Sequence, residues 1–166
     1  MRGRGGRGAP RLTERLRTVM DMVPAEAGSV VDVGAGDGQL ALALAARGLR
    51  VVATESGAGP FQRLQDAAGH LDCRRGDGLE PLLPGEVEGA VMAGVGGATI
   101  AATLDGAGDL ARGLDWLVLQ PQQGAHELER WLVAHRYEVR DARWAVQGRR
   151  LYRVLLVEPM SPQPSG

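Results

Sequence analysis

The 166-residue sequence has no lysine, a single cysteine, few aromatic residues (4%) and no long apolar run. Cys73 alone cannot form an internal disulfide, and one Cys with three His is a poor set of metal ligands. Without an apolar run of about 18 residues, no membrane span is predicted. The N-terminal MRGRGGRGAP has no hydrophobic segment after its arginines, so no secretory signal is predicted. We therefore expect a cytoplasmic protein without a metal.

The charge is nearly balanced in total but unevenly distributed. All 19 basic residues are Arg, and with 20 acidic residues the net charge is −1. Six Arg precede residue 18 against Glu14 alone, so this segment carries about +5 and the remainder about −6. We expect residues 1–10 to be a disordered basic arm, and Arg11, Arg15 and Arg17 to contact substrate phosphates. The alternative is a solvated tail and helix face.

Strand-like and helix-like segments alternate along most of the chain. The predicted strands are 29–33, 50–55, a short one ending near Asp77, 88–94, 114–121, 137–146 and 149–159. The predicted helices are 11–23, 40–48, 60–70, 97–108 and 126–136. Parallel strands need crossover helices, whereas the last two strands have none between them and pair antiparallel.

The predicted fold is therefore α/β, a doubly wound sheet that is mostly parallel with one antiparallel strand in a C-terminal hairpin. This is the Rossmann-like architecture of class I S-adenosyl-L-methionine methyltransferases. One domain is expected over residues 11–159, followed by a disordered tail over 160–166, since roughly 100–200 residues make one domain. Aromatic side chains contribute most to core burial, so Phe61, Trp116, Trp131 and Trp144 are predicted to pack in the core or between helix and sheet.

A glycine loop follows the first predicted strand. Its glycines, Gly34, Gly36 and Gly38, are spaced G-x-G-x-G, and Gln39 stands where a nicotinamide fingerprint would need glycine. Such a loop predicts close approach to the amino-acid part of S-adenosyl-L-methionine, with Asp32 supporting it by accepting backbone N–H bonds. The alternative is an ordinary strand-to-helix turn.

Acidic residues end the next two strands. Glu55 is placed to accept hydrogen bonds from ribose hydroxyls, and Asp77, followed by Gly78, to bind the adenine amino group. The alternatives are a solvated carboxylate and a turn-forming Asp. Three successive strand ends of these kinds together predict an S-adenosyl-L-methionine site.

The fourth and fifth strands end in small residues and glutamines. Ala93 and Gly94 are predicted to lie beside the cofactor, and Gly96 and Gly97 to leave a notch for a planar base. A Gly-rich turn opening a helix is the alternative. Gln120 is predicted either to bond a base edge or to satisfy loop backbone.

These stretches resemble the bacterial TrmK family, the tRNA (adenine-N1)-methyltransferases that act at position 22. The matching stretches are RLxxVxxxVP (15–24), DVG (32–34), TExxxGPxQ (54–62), GDGLEPL (76–82), AGxGGxTI (93–100), LVLQPQ (117–122), LxxWLxxxxYEV (128–139) and YxVLLVEP (152–159). The resemblance implies methyl transfer to adenine N1 with tRNA as partner. It leaves the oligomeric state open.

Two departures from the family pattern qualify this prediction. Gly36 and Asp37 replace the family's Asp-His pair. Asp37 is therefore the candidate catalytic residue, whose carboxylate would stabilise the positive charge that develops on the adenine. The family's usual C-terminal coiled-coil domain has no counterpart in these residues. A methyltransferase for another RNA or a small molecule, or a non-catalytic RNA-binding protein on this fold, therefore remains an alternative.

Overall fold

A computed structural model describes residues 11–164, so the predicted basic arm and residues 165–166 of the predicted tail lie outside the described part. The strands are β1 Ser29–Val33, β2 Arg50–Glu55, β3 Asp72–Arg75, β4 Gly89–Val95, β5 Trp116–Pro121, β6 Tyr137–Gln147 and β7 Arg150–Pro159. The helices are α1 Glu14–Met22, α2 Gln39–Ala46, α3 Ala58–Ala68, α4 Gly97–Ala107, α5 Asp109–Arg112 and α6 Ala125–Ala134.

In the part of the chain that the structure describes, seven strands form one sheet in the order β3-β2-β1-β4-β5-β7-β6. Strands β1 to β5 pair in parallel, and β7 runs antiparallel to both β5 and β6. The predicted fold class is confirmed, because β7 is the single strand that runs against the others.

Helices cover both faces of the sheet and bury two apolar clusters. On one face α1, α2 and α3 pack through residues such as Val19, Leu44 and Leu64. On the other face α4, α5 and α6 pack through residues such as Ile100 and Leu132. Strands covered by helices on both faces are buried along their length, as β1 and β5 are. In the described residues, no helix is long and apolar enough to cross a bilayer.

Local sequence explains where the observed elements depart from the prediction. Helix α1 begins after Thr13, whose hydroxyl accepts a hydrogen bond from the Leu16 N–H at 3.3 Å. The third strand ends at Arg75, so Asp77 lies in the following turn, where its carbonyl accepts the Glu80 N–H at 3.0 Å. The short helix α5 was not predicted.

All five parallel strands end at one edge of the sheet. Ligands of such sheets bind outside the carboxyl ends of the strands, near the point where the strand order reverses. Here that point lies between β1 and β4, and the predicted glycine loop follows β1. The fold therefore brings the predicted site residues to one edge.

Candidate active site

The glycine loop is tied to the end of β2 by two backbone donors. The Ala35 N–H donates to the Thr54 carbonyl at 3.0 Å, and the Gly36 N–H donates to Glu55 Oε1 at 2.7 Å. Gly34 and Gly36 have φ of +68° and +59°, which favours glycine at both positions. The loop and the Glu55 carboxylate therefore form one hydrogen-bonded unit.

Gly38 serves the packing of helices. A Cβ at this residue would lie 2.9 Å from Ala68 Cβ and 3.2 Å from Leu64 Cδ1. Gly38 is buried, and its φ is +79°. The geometry thus gives Gly38 a role in bringing α2 against α3, and its predicted contact with a cofactor remains a prediction.

A cavity of about 170 Å³ lies where the ends of β1 to β4 meet. Its lining includes Gly34, Glu55, Asp77 and Gly78, four of the residues predicted to bind a cofactor. A Cβ on Gly34 would meet nothing closer than Val95 Cγ2 at 4.0 Å, so the space beside this glycine is open. The structure therefore brings the predicted glycine, carboxylate and Asp-Gly groups into one cavity.

Asp32 lies in the sheet, just before the glycine loop, and is buried. Burial, reinforced by the negative charge of Glu55, raises its pKa to about 7, and a hydrogen bond from the Ala41 N–H partly opposes the shift. Its Oδ2 has no hydrogen-bond partner within residues 11–164. The described residues therefore leave Asp32 with an unused acceptor, and its predicted support of the loop remains a prediction.

Asp37 projects from the loop into solvent. Its carboxylate accepts hydrogen bonds from the Gln39 N–H at 3.4 Å and from Gln39 Nε2 at 3.0 Å, at the start of α2. Asp37 is not part of the cavity lining. The candidate catalytic carboxylate is therefore held at the N-terminus of α2. It is close in sequence to Gly34, which lines the cavity, but does not line the cavity itself.

The end of β4 contains a β-bulge at Gly94. The pairing of β4 with β5 shifts register between Ala93 and Val95, and Gly94 has φ of +72°. Its N–H donates to the side-chain Oε1 of Gln120 at 2.8 Å. Gln120 is fully buried, and the same oxygen accepts from Arg15 Nη1 while Nε2 donates to the Pro121 carbonyl. The geometry favours the loop-backbone alternative for Gln120.

Arg15 connects helix α1 to this bulge and to the hairpin. Its Nε donates to Gln147 Oε1 at 3.0 Å, at the end of β6. Partial burial lowers the pKa of its guanidinium. Gln122 Nε2 donates to the Tyr152 hydroxyl at 3.2 Å, which adds β7 to the same cluster. The sequence gives no sign of the roles of Gln147 and Tyr152, because no local pattern marks residues whose partners lie far along the chain.

Gly96 and Gly97 allow two loops to touch. A Cβ on Gly97 would lie 2.4 Å from the Gly124 carbonyl oxygen, and one on Gly96 would lie 2.9 Å from Gln123 Nε2. The Gly97 N–H donates to the Gln123 carbonyl at 2.8 Å. These glycines hold the start of α4 against the turn before α6, and a notch for a base at Gly96 and Gly97 remains a prediction.

The other arginines predicted to contact substrate are exposed. Arg11 and Arg17 lie on the surface, and Arg17 donates to the Leu12 carbonyl at 3.3 Å. Trp116 is buried and Trp131 and Phe61 are half-buried, but Trp144 is 62% exposed. The prediction that Trp144 packs in the core is wrong, because the face of β6 and β7 that carries it extends into solvent.

Comparison with known proteins gives one family and several related structures. A family model described as a methyltransferase domain matches residues 12–155. The tRNA (adenine(22)-N(1))-methyltransferase of Bacillus subtilis (strain 168) is 33% identical over 156 residues, which cover 89% of this chain and 65% of that protein. The chain thus spans about two thirds of that relative's length.

Solved structures agree with the sequence comparison. The crystal structure of the B. subtilis M1A22 tRNA methyltransferase TrmK superposes with a TM-score of 0.82 at 30% identity, covering 90% of this chain and 67% of that one. Streptococcus pneumoniae Sp1610 in complex with S-adenosyl-L-methionine superposes with a TM-score of 0.83 at 25% identity, covering 93% and 76%. The fold is therefore that of known methyltransferase structures.

Proposed function

The chain belongs to the methyltransferase-domain family, and on this premise we propose that it transfers a methyl group from S-adenosyl-L-methionine to N1 of an adenine in tRNA, at a site like position 22. The proposal rests on the cavity in which Gly34, Glu55 and Asp77 meet. It is supported by the 33% identity to a B. subtilis enzyme of that activity and by the Sp1610 complex with S-adenosyl-L-methionine.

The residues around the cavity fit this cofactor. The open space beside Gly34 accepts a group close to the backbone. Glu55 uses Oε1 for the loop, which leaves Oε2 to accept from ribose hydroxyls. Asp77 is exposed in the same lining and is free to accept from an adenine amino group. When bound, S-adenosyl-L-methionine would supply an electrophilic methyl group on a sulfonium centre.

The reaction requires mainly that the adenine and the methyl group are aligned. Adenine N1 carries a lone pair in the ring plane, so it can attack a methyl carbon without a general base. The protein must hold N1 in line with the bond that breaks. We assign this task to the bulge at Gly94, because Gln120 and Arg15 hold its backbone in place.

Positive charge appears on the adenine ring when N1 is methylated. Backbone carbonyls of Gly94 and Gly96 and the carboxylate of Asp37 are our candidates for stabilising that charge. Asp37 lies at the start of α2, held by Gln39. A base within a folded tRNA would also have to leave its stack to reach this edge, as in other enzymes that modify bases.

Incubation with labelled S-adenosyl-L-methionine and an unmodified tRNA transcript tests the proposal, followed by mapping of the methylated base. We expect label on N1 of one adenine, and Asp37→Ala is expected to lower the rate without abolishing cofactor binding. A methyl-transfer rate for Asp37→Ala equal to that of the wild type would contradict the role of this carboxylate.

The alternatives give different outcomes in the same assay. Label in another RNA or in a small molecule, with none in tRNA, would replace the proposed substrate. No calorimetric binding of S-adenosyl-L-methionine would favour a non-catalytic RNA-binding protein on this fold.

A further inference from the structure

An apolar patch covers the outer face of the C-terminal hairpin, and we call it the hairpin patch. It consists of Trp144, Val146 and Leu151, which are 62%, 40% and 63% exposed. Val146 pairs with Leu151 across the hairpin, and Trp144 pairs with Arg153. Because side chains alternate along a strand, these residues share one face of the sheet. Large apolar side chains clustered on a surface mark an interaction site.

The hairpin patch lies near the edge that carries the candidate active site. β7 runs antiparallel to β5, so the turn between β6 and β7 lies at the end of the sheet where β5 ends. Contacts confirm that the hairpin reaches this end of the sheet, since Gln147 accepts from Arg15 and Tyr152 contacts Gln122. By the same alternation, these two side chains lie on the opposite face of the hairpin from the patch. A chain bound on the hairpin patch would therefore lie at the same end of the sheet as the bulge at Gly94, beside helix α6, whose Glu129 contacts Arg153.

One arginine lies over the indole of Trp144, and two more lie at the tip of the hairpin. The Arg153 guanidinium lies 5.0 Å from the ring centroid and is held by Glu129 at 3.3 Å. At the tip of the hairpin, Arg149 and Arg150 are exposed, and neither forms an ion pair or a side-chain hydrogen bond within residues 11–164. Arginines beside an exposed aromatic ring are the combination that binds single-stranded nucleic acid, because bases stack on the ring while phosphates meet the cations.

We propose that the hairpin patch binds RNA, with an unpaired base stacked on Trp144 and phosphates contacted by Arg149 and Arg150. This inference rests on the proposed function, since it names how the tRNA is held beside the methyl-transfer site. Stacking tolerates any base, so the patch supplies affinity and position, and selection of the target adenine falls to the cavity edge.

RNA fits this surface better than a second copy of the chain. A stable protein interface buries about 800 Å² on each partner, and three apolar side chains flanked by free arginines are a poor basis for one. The outer strand β6 also carries a bulge between Val139 and Asp141, which hinders pairing of its edge with another strand.

The affinity of Trp144 variants for an unmodified, fluorescently labelled tRNA transcript tests the proposal at fixed salt. We expect Trp144→Ala to raise Kd roughly 5- to 150-fold, the range for loss of one stacked base, and Trp144→Phe to keep most of the affinity. Leu83→Ala is the matched control, because Leu83 is 71% exposed and lies outside the hairpin. On the wild-type protein, bound tRNA should protect tryptophan fluorescence from acrylamide quenching.

Three results would overturn the inference. These are an unchanged Kd for Trp144→Ala, an equal loss for Leu83→Ala, or no protection from acrylamide. Sedimentation that shows a wild-type dimer and a Trp144→Ala monomer, with equal tRNA affinity, would assign the patch to self-association instead.

Methyl mapping separates this inference from the proposed function. Binding to tRNA that depends on Trp144 without any methylation would leave the patch standing and overturn the function. Methylation of tRNA together with an unchanged Kd for Trp144→Ala would support the function and overturn the inference about the patch. Equal binding of S-adenosyl-L-methionine by wild type and Trp144→Ala shows that the variant is folded.

Discussion

At the residue scale, Gln120 decides the geometry of the β4 end. Its side chain supplies the acceptor that the bulged Gly94 N–H lacks in the strand ladder, and it also receives Arg15. Burying a glutamine side chain costs little free energy only while its polar atoms are hydrogen-bonded, here to an Arg and a backbone N–H. We therefore interpret Gln120 as a positioning residue, which would act on the substrate through the backbone of Gly94.

We expect Gln120→Leu to lower the free energy of unfolding by about 1–3 kcal/mol, because it leaves buried donors without an acceptor. The rate of methyl transfer should fall as the bulge shifts, and by a larger factor than the calorimetric affinity for S-adenosyl-L-methionine, since Gln120 is not in the cavity lining. Gln62→Leu is the control, because Gln62 is exposed and, within residues 11–164, its side chain bonds only Asp66. Wild-type stability and rate in Gln120→Leu would contradict the positioning role.

At the element scale, two helix ends meet through glycine. The start of α4 lies against the turn before α6 so closely that a Cβ on Gly97 would be 2.4 Å from the Gly124 oxygen. Gly106 lies in the same helix, and a Cβ there would meet nothing within 4 Å. The two glycines of α4 thus have opposite surroundings, although both occur in one Gly-rich stretch.

Alanine at these two positions should have opposite effects on stability in chemical denaturation. Gly97→Ala forces the loops apart, and overpacking of this kind costs about 1–3 kcal/mol. Gly106→Ala removes backbone freedom from the unfolded chain at no steric cost and should stabilise by up to about 1 kcal/mol. Equal effects of the two substitutions would mean that the α4–α6 contact does not depend on Gly97.

The same elements show what sequence could predict. Periodicity and β-branched runs placed every strand and the five longer helices, because each pattern is local to its element. The Gln120 network joins residues 105 positions apart, and the contact of Gly97 with Gly124 is equally non-local. The prediction for Trp144 was wrong because hydrophobicity predicts burial, whereas the ends of β6 and β7 that carry Trp144 extend beyond the helices that cover the rest of the sheet.

At the scale of the whole molecule, the net charge of −1 is a sum of opposed parts. The first 17 residues carry about +5 and the rest about −6. Arg15 is committed to the Gln120 network, whereas Arg11 and Arg17 are exposed. Arg2, Arg4 and Arg7 lie outside the described residues, so their part in binding RNA stays a prediction from sequence.

That prediction has a quantitative form in the salt dependence of tRNA affinity. Each phosphate neutralised contributes about 0.7–0.9 to the slope of log K against log salt. If Arg2, Arg4 and Arg7 each contact a phosphate, replacing all three with Gln should lower the slope by about 2–3 and leave binding of S-adenosyl-L-methionine unchanged. The matched Arg→Lys triple variant keeps the charge and should keep the slope. An equal slope for the Gln and Lys variants would show that the arm stays in solvent, and affinity would then come from the folded surface, the hairpin patch included.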